Sequence, residues 1–236
     1  MTSEELERAI VTEKLEADKY MHPEDGAVVC AYKALPHLLK LFEYMSEYMG
    51  FEGIEQEVCC MIYAYLAECF TLIPYLPRAA ECYKRAIECA VKSEDETVKG
   101  EIPEFLYNAA KNRNTIAKDN TIQGSSAEGE NNAVYDACMD LIGLACSCME
   151  RQEAETLIAE AAETARRSLR HDKAEHTEEY LKLIYDMNEE LESNLRSASR
   201  DSGFCHLFWA AQKMYLLKHG IKWSSPAELN PQVKFD

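Results

Sequence analysis

At 236 residues with 47% hydrophobic content, the chain is long enough for one large domain or two small ones and apolar enough to bury a real core, which excludes global disorder. Acidic residues outnumber basic ones 42 to 25, and the net charge of −17 repels phosphate backbones and anionic headgroups, so neither nucleic acid nor a membrane surface is expected as a partner. No apolar run approaches the roughly 18 to 20 residues of a membrane span, and the opening MTSEELERAI is charged where a signal peptide is hydrophobic, which gives a cytoplasmic location as the expectation.

The first helix starts at Thr2 or Ser3, where Thr2-x-x-Glu5 makes a capping box, and ends before His22-Pro23. A second runs from about Glu24 to Met49, with Pro36 forcing a kink or a break. Gly50 and Gly53 separate it from a third, about Glu55 to Ile73, and the turn from Pro74 to Pro77 leads into a fourth, about Arg78 to Lys92. The fifth, about Ile102 to Lys118, carries Pro103 in its first turn and precedes residues 120–131 (NTIQGSSAEGEN), a polar, aperiodic segment expected to be a flexible loop. Helices six (about Ala133 to Arg151) and seven (about Glu153 to Arg170) form another hairpin. The eighth carries a clear apolar stripe, Tyr180, Ile184, Met187, Leu191 and Leu195. The ninth, about Phe204 to His219, is dense with Phe204, Leu207, Phe208, Trp209, Met214, Leu216 and Leu217, so it should be largely buried, and Gly220 stops it. Ser225-Pro226-Ala227-Glu228 opens one more turn in the tail. The pattern predicts an all-α fold of about nine helices in antiparallel hairpins. Hairpins over 1–119 and 132–220, the latter closed by a capping helix, flank the 120–131 loop, and a tail follows over 221–236.

One hairpin, residues 59–92, carries Tyr63-x2-Leu66-Ala67-x2-Phe70 followed by Ala79-x3-Tyr83-x2-Ala86. Ala67, Ala79 and Ala86 let two antiparallel helices approach closely, while Tyr63, Leu66, Phe70 and Tyr83 fill the space around that contact. The spacing resembles a tetratricopeptide repeat. It recurs in Cys138, Leu141, Ile142 and Ala145, then Ala154, Ile158 and Ala161, without the aromatic residues. Ile142 is large where the family has glycine or alanine, and Val91 stands where its closing proline would be, so the α-solenoid should be irregular. The resemblance implies a concave surface that binds another protein or a peptide. On the best repeat the first helix would present Met61, Ala64, Glu68 and Thr71 to it. The family's carboxylate-clamp subclass needs lysine and asparagine at such positions. An acidic, partly apolar groove suits a basic or amphipathic segment instead.

No Glu-x-x-His, His-Glu-x-x-His, aspartate-rich or glycine-loop motif is present, so no catalytic residue, metal ligand or cofactor is expected. The ten cysteines include no Cys-x-x-Cys, and Cys59, Cys60, Cys69, Cys82, Cys89, Cys138, Cys146 and Cys148 fall inside helical patterns, where free thiols pack as small apolar groups. His171-Asp172, with His176 nearby and His22 and His37 as distant ligands, supports one alternative, a helical metal-dependent hydrolase. Arg166, Arg167 and Arg170 with His171 form a concentrated positive patch able to hold an anion, although cations at a helix end also suit its dipole. A peptide-sensing regulatory module is a third reading. Residues 203–236 set Lys213, Lys218, Lys222 and Lys234 against Glu228 and Asp236, a net of +2 that leaves −19 on residues 1–202. That basic tail, with Trp223 and Phe235, is the second place to look for a binding surface.

Overall fold

Thr2 starts the first helix as its spacing predicts: its hydroxyl accepts from the Glu5 N–H, and the Glu5 carboxylate accepts from the Thr2 N–H in return. A computed structural model describes residues 1–23, 29–121, 138–200 and 203–235, of which 75% are helical with no strand among them. The fold is an all-α array. The helices are α1 (Ser3–Met21), α2 (Ala31–Tyr48), α3 (Gln56–Leu72), α4 (Leu76–Lys92), α5 (Glu96–Gly100) and α6 (Ile102–Asn120). After the gap come α7 (Met139–Ala145), α8 (Arg151–Arg167), a 3-10 turn (Lys173–His176), α9 (Glu178–Asn194), α10 (Phe204–Lys218) and α11 (Pro226–Leu229). No helix among the described residues is long and apolar enough to cross a membrane.

Pro36 does not break α2. Its missing N–H would have met the Tyr32 carbonyl, so one backbone hydrogen bond is lost, close enough to the start of the helix that the 12 residues after it continue unbroken. The expected starts at Glu24 and Ala133, and most of the expected loop 120–131, lie outside the described residues. Asn120 itself is the last residue of α6. The expected sixth helix ends at Ala145 rather than at about Arg151, and two further features differ from the sequence pattern. Asp95 caps the short α5, accepting from the Thr97 N–H at 2.8 Å, an element the periodicity does not announce. At the other, α8 ends at Arg167 rather than Arg170, because the Lys118 ammonium of α6 donates to the carbonyls of Ala165, Ser168 and Leu169 at 3.0 to 3.1 Å and to the Ser168 hydroxyl at 2.8 Å. Gly220, at φ +81°, closes α10: its N–H meets the Leu217 carbonyl at 3.1 Å and the Ile221 N–H meets that of Leu216 at 2.9 Å.

Neighbouring helices pack in chain order, α1 on α2, α3 on α4, α4 on α6 and α6 on α8. In the α3–α4 hairpin Tyr63, Leu66, Ala67, Phe70, Ala79, Tyr83 and Ala86 are all buried, the three alanines completely. Burying each of the large side chains is worth about 1.5 to 3 kcal/mol before entropy is counted. Cys138, Leu141, Ile142, Ala145, Ala154, Ile158 and Ala161 are buried in the same core, although α7 has only seven residues to offer. Later elements also fold back on earlier ones. The Tyr32 hydroxyl of α2 donates to Glu189 of α9 at 3.1 Å, Lys33 lies 3.6 Å from the same carboxylate, and Arg78 of α4 reaches Glu178 at 3.0 Å.

The expectation of a largely buried α10 needs correction. Tyr215, Leu216 and Gln212 are buried, but Leu207, Met214 and Leu217 are 48%, 59% and 55% exposed. The helix is apolar on every side, so its composition does not say which side meets the core. A second correction concerns the thiols: six cysteines are buried, but Cys146 and Cys148 are exposed in the turn after α7.

Candidate functional site

Met61, Ala64 and Glu68 stand on successive turns of α3 and line one recess of about 420 Å³. Its far wall comes from α5 and α6, through Val98, Glu101 and Phe105. Met61 is 60% exposed, an unusual degree for a large apolar side chain on a packed helix. The recess therefore combines an apolar floor with a carboxylate on each side, Glu68 and Glu101. Thr71 does not join it: this exposed residue lies beyond the recess, its hydroxyl donating to the Ala67 carbonyl at 2.8 Å. Tyr65 also lines the recess and is covered on its other side by α1, where the Lys14 ammonium lies 4.5 Å from its ring centroid and 2.7 Å from Asp18. Burial pushes the Tyr65 phenol above its ordinary value, and the neighbouring Cys69 and Asp18 add to the rise. Val98, Glu101 and Phe105 were not legible as site residues, since only the packing of α6 against the preceding hairpin brings them to α3.

The four members of the positive patch do not act together. Arg166 and Arg167 share one carboxylate, Glu163, at 2.8 and 2.7 Å. Arg170 lies past the helix end, where its N–H donates to the Asn230 side chain at 2.8 Å, and it borders a recess of about 460 Å³ with Arg166 and Lys118. His171 turns elsewhere, its Nδ1 3.4 Å from Glu175. Lys118, rather than the arginines, meets the carbonyl end of α8, and burial lowers its pKa.

Around His171 a polar network fastens the tail. Trp223 is 5% exposed and donates its indole N–H to Glu175 at 2.7 Å, while the Ser224 N–H donates to Asp172 at 2.8 Å. The other Asp172 oxygen accepts the Ala174 N–H and caps the 3-10 turn, so both oxygens of the candidate ligand are taken up by backbone. His176 faces Asp119 at 3.0 Å, and His37 faces Glu13 at 2.7 Å. Among the described residues no group of three His, Cys, Asp or Glu side chains is arranged to hold a metal. The Glu175 hydrogen bond raises the His171 pKa against the opposing effect of burial.

The same network forms one end of a trough of about 530 Å³, where α9 and α10 meet the start of α2 and the α3–α4 turn. Tyr32, Ile184, Phe208, Trp209 and Trp223 supply its apolar walls, and Gln212 donates to the Tyr180 hydroxyl at 2.9 Å inside it. The aromatic density of residues 204–223 was the available sequence signal, but it read as core. Comparison of the chain with protein-family models, with curated proteins and with solved structures gives no match in any of the three.

Proposed function

We propose that the protein is a binding scaffold of the tetratricopeptide kind, acting in the cytoplasm, whose α3 groove takes a basic or amphipathic segment of another protein. The observation that carries this reading is the recess at Met61, apolar at its floor and flanked by Glu68 and Glu101. A cationic amphipathic segment would place apolar side chains against Met61 and Phe105 and its ammonium or guanidinium groups near the two carboxylates. The buried repeat positions support it further, since they hold α3 rigidly while its groove side stays open.

Partner capture with the intact chain, read by mass spectrometry beside Glu68→Lys and Met61→Asp variants, is the direct test. Proteins that bind the parent and are lost from both variants support the groove, and proteins retained equally by all three place binding elsewhere. With a partner in hand, a biosensor salt series separates the two contributions. Exposed charges are screened over about 8 Å at physiological salt, so added salt should slow association far more than it hastens dissociation. Glu68→Lys should act on the on-rate and Met61→Ala on the off-rate. Affinity indifferent to salt would reject the acidic groove.

A further inference from the structure

We propose that the trough between α9 and α10 is a second, separate site, and that it binds a small aromatic anion, a carboxylate carried on a ring system. Its volume of about 530 Å³ falls within the ordinary range for small-ligand clefts. The argument for an anion rests on which charged groups are already satisfied. Glu175 is fully engaged, with one oxygen taken by the Trp223 indole and the Asp172 N–H and the other facing His171. Glu192 lies 3.7 Å from Lys33. Two nitrogen donors are left over among the described residues. Arg200 stacks over the Phe204 ring at 5.5 Å and meets no carboxylate among the described residues. The His171 ring engages Glu175 through Nδ1, and its Nε2 has no protein partner among them.

A guanidinium left with its donor fork open is matched by a carboxylate. The wall opposite suits a ring rather than an aliphatic chain. Tyr32, Phe208 and Trp209 are each partly exposed along the trough and offer faces and edges for aromatic packing. Trp209 already stands edge-on to Phe235 at 5.1 Å, so that wall is braced before any ligand arrives.

The test uses the intact protein and three probes that share an indole: N-acetyltryptophan, its neutral amide and cationic tryptamine. Calorimetric titration should give N-acetyltryptophan about tenfold tighter binding than the amide, with tryptamine weakest. Arg200→Gln, at an exposed position, should abolish the preference for the acid while leaving amide binding in place, and Trp209→Ala should weaken both. Cys30 also lines the trough, so bound N-acetyltryptophan should slow its alkylation by iodoacetamide and leave Cys146 and Cys148 unaffected. Equal binding of acid and amide, a preference for tryptamine, or no protection of Cys30 would each overturn the assignment. Glu68→Lys in the α3 groove should leave the titration unchanged, which keeps this site's failure distinct from that of the peptide groove.

Discussion

Glu175 is 7% exposed and its carboxyl oxygens are matched by three neighbours, the Trp223 indole, the Asp172 N–H and the His171 ring. Its counterpart is the raised pKa of His171, which Asp119 also favours while Lys118 and burial oppose it. Because the folded pKa exceeds the unfolded one, protonated His171 adds stability that is fully present below about pH 6.5 and disappears as pH rises through the folded value. Urea unfolding at about pH 5.5 and about pH 8.5 should therefore show a larger loss for His171→Gln at the acid end. The same loss at both values would mean that the ring contributes only by packing. No sequence pattern could announce this cluster, since Trp223 and Glu175 stand 48 residues apart and meet only through tertiary folding. The thiols divide just as sharply. Burial pushes Cys60 and Cys69 up to about 12 and Cys138 to about 11, and Cys82 well above its ordinary value. Ellman's reagent should modify Cys30, Cys146, Cys148 and Cys205 in the folded protein, with the six buried thiols reacting only at the rate of unfolding. A fifth fast thiol would show that the hairpin core opens locally.

Among the elements, the α3–α4 hairpin was the most legible, because a proline turn, a glycine pair and seven spaced packing residues all act locally. Ala67 and Ala86 are wholly buried where the two helices touch, so Ala67→Trp or Ala86→Trp should cost about 1 to 3 kcal/mol or more in denaturant melts. Melts like the parent's would show that the helices are held apart by something else. The ends of α8 and the orientation of α10 were illegible for a shared reason: each is decided by a distant residue. Lys118 ends α8 by taking its carbonyls, and Tyr180 fixes the inward side of α10 through Gln212. Leu216→Ala should therefore cost about 2 to 5 kcal/mol, whereas the adjacent Leu217→Ser should change stability by no more than about 0.5 kcal/mol. Equal costs would place α10 the other way round. Repeat spacing placed Met61, Ala64, Glu68 and Thr71 on one side of α3, of which the first three line a recess whose other wall belongs to α5 and α6.

At the scale of the molecule, the charge is divided unevenly along the chain, −19 over residues 1–202 and +2 over residues 203–236. For a cationic partner of the kind proposed, long-range attraction would be a property of the whole chain, and Glu68 and Glu101 would decide only where that partner stops. The ties from α2 and α4 to α9 have a further, mechanical consequence. A linear stack of hairpins behaves as a spring whose coils open one after another under load, because each touches only its neighbours. Here Tyr32, Lys33 and Arg78 grip α9, and the Tyr32 and Tyr185 rings meet at 6.2 Å above a core that α2, α3 and α9 share. Pulling on the two termini loads that clasp before the hairpins enclosed between α2 and α9 can peel away. In an optical trap the chain should give way in one principal rip rather than a staircase of hairpin-sized steps, and so resemble a fastened loop more than a spring.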